Sequence, residues 1–411
     1  MLALLIQSIY NIVDSFFVAK YSAVGLTALS IIYPIQLLMV ALATGTGAGV
    51  NILISRLDGL GRSKEQHQVI KSGLLLTLFH FLIFAVAGTM LAEFYFQIST
   101  DNLAVAKDGI IYTKIIFIGS LGLFVESICT KILQARGNMV IPMIAQITGS
   151  LLNIILDLFL IFGLTGFPEL GIAGAAIATV IGQWAAMFIT LIAVIRKYSL
   201  RGRFQISVCK QIYQNGIGSI VTQSLFTLYI VGLNMILKGF TEDAVTVLGI
   251  YYKIQSFFFI PLLGFQQVLL PLISYNYGAG KISRTKDILK FASIVSCCIM
   301  TVATMIFFAF PHLLIAIFST SPALLNIGSY ALRVISISFI FAGLTIVITS
   351  YLQGIARMQA SIFIIVLRQV FLLVPLAWVL HFWGLNAVWW TFPLTEVIAC
   401  VAGIICVKMF R

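Results

Sequence analysis

Runs of about 20 mostly apolar residues, the length that carries a helix across the hydrocarbon core of a bilayer, follow one another along this chain with only short gaps. About twelve are placed, at 1–19, 26–54, 69–92, 107–130, 139–163, 170–195, 213–238, 243–275, 288–311, 325–353, 359–382 and 385–410. The chain is 61% hydrophobic and 9% charged, against roughly 25% charged in soluble domains. Its surface therefore has to face lipid, and the fold class expected is an all-α polytopic membrane protein. Spans 26–54, 243–275 and 325–353 are long enough to tilt or kink, with Pro34, Pro261 and Pro271 as natural kink points. Residues 1–19 read as the second half of a spanning helix. No basic leader or small-residue cleavage site marks them as a signal peptide.

The formal net charge of +12 does not point to nucleic acid, because the cations cluster in gaps between apolar runs. Gaps after even-numbered spans carry Arg56, Arg62, Lys64 and Lys71; Arg136; Arg196, Lys197, Arg201, Arg203 and Lys210; Lys281, Arg284, Lys286 and Lys290; Arg357; and Lys408 with Arg411. Gaps after odd-numbered spans carry Glu93, Asp101, Asp108, Glu169, Glu242 and Asp243 instead. By the positive-inside rule both termini are expected in the cytoplasm, in the inner (plasma) membrane of a cell. The six cysteines and four histidines show no metal-ligand spacing, and no cofactor is expected. The pattern Gly45-x-Gly47-x-Gly49 lies inside an apolar span with no strand before it, so it reads as helix packing rather than phosphate binding. No P-loop and no dense Asp or His/Asp cluster is present, which argues against an enzyme.

The longest basic gap, at 196–212, divides the chain into a six-helix half at 1–198, a linker at 199–212 and a second six-helix half at 213–411. The halves repeat. LTALSIIYPIQ at 26–36 matches VTVLGIYYKIQ at 245–255 at an offset of 219 residues, from Leu29 to Leu248. The same offset pairs Gly45, Leu53, Ile54, Ser55, Gly59 and Gly61 with Gly264, Leu272, Ile273, Ser274, Gly278 and Gly280, and Leu133, Gln134 and Met139 with Leu352, Gln353 and Met358. An even number of helices per half makes the repeats parallel, and such duplications put a transport path between the halves.

Ionisable groups inside the spans are the candidate functional residues. Asn153 and Asp157 are four residues apart and share one helix face. Asp14 and Asp157 both fall toward the outer ends of their spans, and Thr179 lies about 14 Å into its helix. Gly171, Ala175 and Thr179 form a stripe of small residues that lets a neighbouring helix approach closely. Asp14, Asn153, Asp157 and Thr179 are therefore expected to converge in one pocket of the first half. Two nearby acids favour binding of a proton or a sodium ion. Tyr33 with Gln36, and Tyr252 with Gln255, occupy equivalent places in the two halves. With Met39, Phe257 and Phe258 they are candidate walls of a cleft for flat amphipathic cations. In the second half Lys253, Arg333, Arg368 and Glu396 fall within spans, and Lys253 is the expected partner of Glu396.

QSIYNIVDSFFVAK at 7–20, LQARGNMVIP at 133–142, NIILDLFLIFG at 153–163, GIAGAAIAT at 171–179 and SYNYGAGK at 274–281 resemble the multidrug and toxic compound extrusion (MATE) family over nearly the whole chain. The resemblance implies two six-helix lobes in a V that act as a monomer. It implies export of small amphipathic organic cations in exchange for protons or sodium by alternating access. It also implies that Asp14, Asn153, Asp157 and Thr179 form the proton or Na+ site. Another branch of the family uses acids in its seventh and tenth helices. Here span 213–238 has none and span 325–353 offers Arg333, which argues against a sodium site in the second lobe. The same buried cations keep open an alternative, a flippase for a lipid-linked anionic precursor.

Overall fold

The computed structural model describes residues 2–166, 168–199, 202–318 and 321–409, and the described residues are helical almost throughout. The chain divides into two compact units, Leu2–Ile220 and Val221–Arg411. The first holds α1 (Leu2–Tyr21), α2 (Ala23–Gly59), α3 (Ser63–Ser99), α4 (Leu103–Gly119), α5 (Leu121–Ala135), α6 (Val140–Phe162) and α7 (Ile172–Lys197). α8 (Ile206–Lys238) begins in the first unit and ends in the second. The second continues with α9 (Glu242–Gly278), α10 (Ile282–Ala309), α11 (Pro311–Ala316), α12 (Pro322–Ser336), α13 (Phe339–Gly354), α14 (Met358–Val366), α15 (Leu373–Leu380), α16 (Leu385–Val388) and α17 (Thr391–Met409). Among the described residues nine helices are long and apolar enough to cross a membrane, or up to eleven when each of two bent pairs counts as one span. α1 is a further 20-residue helix. α8 starts at Ile206, so part of the expected linker is helical.

The bends have a local cause. α4 and α5 meet at 43°, and α12 and α13 at 45°. At the first, the Ser120 hydroxyl donates to the Phe117 carbonyl at 2.7 Å; at the second, the Ser338 hydroxyl donates to Ile335 at 2.6 Å. Serine bonding back onto the preceding turn competes with the helical ladder and bends it. α2 and α9 run on as single helices through Pro34, Pro261 and Pro271.

The repeat is visible in the turns as well. Gly61 and Gly280, 219 residues apart, have φ of 70° and 71°. Gly137 has φ 77°, and its counterpart at the same offset is Ala356, a left-handed alanine at φ 64°. A Cβ in that region costs about 1–2 kcal/mol. Ala356→Gly is therefore expected to raise the melting temperature in detergent by a few degrees, read by thermal unfolding.

The first unit has two cores. One gathers Phe96, Phe117, Phe124 and Ile116 from α3, α4 and α5, and the other Val50, Ile128, Ile132 and Ile212 from α2, α5 and α8. The second unit is built on an aromatic centre in which Phe307 and Phe339 meet edge-on at 4.9 Å, with Tyr251 and Trp389 buried around them. Phe339→Ala removes a fully buried ring and is expected to cost about 3–5 kcal/mol, seen as a large fall in melting temperature.

Candidate functional site

α6 ends at Gly163, whose left-handed φ of 66° lets the chain turn away. Along its length α6 packs closely on α7. A Cβ on Gly182 would lie 2.6 Å from the Gly149 carbonyl oxygen, and one on Gly174 would lie 2.4 Å from the Leu160 oxygen. Only glycine permits that approach, and it brings Thr179 of α7 against Asn153 of α6. The Asn153 amide donates to Asp157 Oδ2 at 3.3 Å while its carbonyl accepts from the Thr179 backbone N–H at 3.2 Å. Asp157 is 0% exposed and Asn153 2%.

α1 also packs on α6 and carries Asp14, whose carboxyl lies close to that of Asp157. Two ionised carboxylates so close together repel one another. The Oδ1 atoms of both aspartates are buried without a hydrogen-bond partner. None of the ion pairs among the described residues includes either acid. The site is thus a close pair of buried carboxyl groups with spare acceptor oxygens, inside a lipid-facing protein. All four sequence-expected residues come together in the first unit. No group of three or more His, Cys, Asp or Glu side chains placed to hold a metal occurs among the described residues.

Two tyrosines missing from the sequence reading stand within electrostatic reach of the pair: Tyr10, one turn before Asp14 on α1, and Tyr112 of α4. The four-residue step from Tyr10 to Asp14 is legible in the sequence, whereas Tyr112 is joined only by the fold. Gln36, expected at a cleft, donates to the Tyr112 hydroxyl at 3.4 Å. A further acid escaped notice. Glu126, in the middle of α5, accepts from Thr130 at 2.7 Å, beside Lys131, which donates to Gln134 at 2.9 Å.

The remaining expected residues separate. Tyr33 is 57% exposed, and Met39 is 2% exposed in the packed core. In the second unit Tyr252 packs among Phe226, Tyr229 and Tyr251. Phe258 meets Phe307 at 5.1 Å. Gln255 is half-buried, and Phe257 is exposed. The expected Lys253–Glu396 pair is not formed: the partner of Glu396 is Arg368, at 2.7 Å. Lys253 and Arg333 are exposed rather than buried. The reason is rotational, since Lys253 projects from a face of α9 turned away from the core that Tyr251 and Ile254 enter.

The sequence matches the MatE family over residues 1–159 and 219–379. It is 27% identical over 379 residues to the FAD transporter of Shewanella oneidensis, covering 90% of this chain and 83% of that one. It is 26% identical over 425 residues to the multidrug export protein MepA of Staphylococcus saprophyticus, covering 100% and 92%. In fold it is similar to the Vibrio cholerae MATE transporter VcmN, with a TM-score of 0.93 at 20% identity over 99% of this chain and 93% of that one. It is likewise similar to a transporter of the MOP superfamily from Pyrococcus furiosus, with a TM-score of 0.91 at 21% identity over 100% and 93%. With the family matched over most of its length and the helical fold shared, this chain belongs to the MATE family and is a membrane transporter, not an enzyme.

Proposed function

We propose that the protein is a drug-efflux antiporter, resident as a monomer in the plasma membrane with both termini cytoplasmic. It exports small amphipathic cations against protons taken up at Asp14 and Asp157. The observation that carries this reading is the close pair of buried carboxyl groups that joins none of the ion pairs among the described residues. Such a pair holds one proton readily and exchanges it when the surroundings change. Ionised, it attracts a cation; protonated, it does not. The names of the Staphylococcus relatives, multidrug export proteins, support the cargo class. Coupling requires that the protonated and substrate-bound forms prefer different conformations, and a pair built from two helices, α1 and α6, supplies such a dependence.

Sodium is the competing ion. The two unpartnered Oδ1 atoms, the Asn153 carbonyl and the Thr179 hydroxyl form an oxygen set of the kind hard cations take. Ethidium efflux from proteoliposomes, with proton and sodium gradients imposed separately, tests the proposal. Efflux driven by the proton gradient at fixed sodium is expected. Efflux driven only by sodium at fixed pH reassigns the oxygens to that ion, and efflux under neither gradient rejects the antiport.

A further inference from the structure

The second unit carries a buried charged site that the coupling scheme leaves unused. By the 219-residue offset, Arg368 stands where the first unit has Gly149. Glu396 lies in α17, at the offset position of Ile177 of α7. Where the first repeat has the glycine of a close helix contact, the second carries an arginine in an ion pair. Arg368 is also the second residue of a π-helical turn, Leu367–Leu372, in which the Leu373 N–H reaches back to the Arg368 carbonyl. Such turns gather at functional positions.

Arg368 meets Glu396 through Nε alone, at 2.7 Å, and Nη1 and Nη2 have no hydrogen-bond partner among the described residues. The side chain keeps 26% of its surface accessible although it lies within reach of Tyr229 and Tyr251. Glu396 is 5% exposed, and its Oε2 is buried without a partner. Tyr251 is buried beside it, tilted against Tyr252 at 5.0 Å and edge-on to Phe392 at 5.6 Å. A guanidinium whose paired Nη groups are unused is a fork that fits two oxygens of one anion.

We propose that Arg368 is the binding site for an oxyanion headgroup, carboxylate or phosphate. Glu396 neutralises the guanidinium while the site is empty and competes with the ligand for it. The site is separate from the carboxyl pair of the first unit and needs no ion gradient, so it is tested apart from transport.

The test is equilibrium dialysis of the purified full chain in detergent with naphthoate, naphthyl phosphate and the neutral naphthamide. Wild-type protein is expected to bind at least one oxyanion about tenfold more tightly than the amide. Glu396→Gln, which removes the competitor and leaves Arg368, is expected to raise oxyanion affinity by about a further tenfold. The charge-free R368Q/E396Q double variant is expected to lose the preference for the oxyanions. A tighter naphthoate assigns a carboxylate and a tighter naphthyl phosphate assigns a phosphate; both support the site. Equal binding of amide and oxyanions in both wild type and Glu396→Gln overturns it, as does a preference that survives the double variant. Should the double variant fail to fold by gel filtration, the rise or its absence in Glu396→Gln decides alone.

Discussion

In vesicles carrying Asp157→Asn, gradient-driven export is expected to fall by about 100-fold, the upper end of ordinary coupling free energies, while substrate binding changes little. Asparagine keeps the shape and still offers an oxygen to the Asn153 amide that donates to Asp157 Oδ2 at 3.3 Å. What it lacks is a group that can take up and release a proton, which the proposed coupling requires. Asp14→Asn is expected to have the same effect, and the double variant to be no worse than either single one, because in the proposed scheme the two carboxyl groups act as a unit. Binding is read by dialysis of ethidium and export by its loss from loaded vesicles. Normal export by Asp157→Asn, or additive losses in the double variant, removes the pair from the mechanism.

Gly182→Val is expected to damage both the packing of the first unit and its site. Its Cβ would sit 2.6 Å from a backbone oxygen of α6 and 3.3 Å from the Asn153 Cβ. Backbone cannot step aside as a flexible side chain does, so α6 and α7 must separate. Overpacking of this kind costs about 1–3 kcal/mol or more, and here it also pulls Asn153 from Thr179. Both a lower melting temperature and lost export are expected. Gly249→Ala is the control: a Cβ there meets nothing within 4 Å, and it sits within α9, where alanine favours helix by about 1 kcal/mol. A Gly182→Val protein as stable as wild type contradicts the close α6–α7 contact.

Much of this was legible in the sequence for a physical reason. A bilayer demands long apolar runs with satisfied backbones, so the spans stand out, and a 3.6-residue period puts Asn153 and Asp157 on one face without further information. The glycine and small residues of α7 announced a close helix neighbour. What the sequence did not disclose depends on rotation of one helix against another. Tyr112 reaches the carboxyl pair only because α4 packs where it does. Glu396 takes Arg368 rather than Lys253 because α9 presents Tyr251 and Ile254, not Lys253, to the interior. Depth along a span, which suggested Lys253, is a poor guide to which way a side chain faces.

The π-helical turn at Leu367–Leu372 carries a lesson for protein engineering. It accommodates an additional residue within the helix, so every position after it is swung by about 100° relative to an uninterrupted α-helix. Leu376, the arithmetical twin of Asp157, therefore looks in a new direction. Grafting an aspartate onto it would not duplicate the carboxyl pair, and a transporter with a second such pair would first have to delete one residue from that turn.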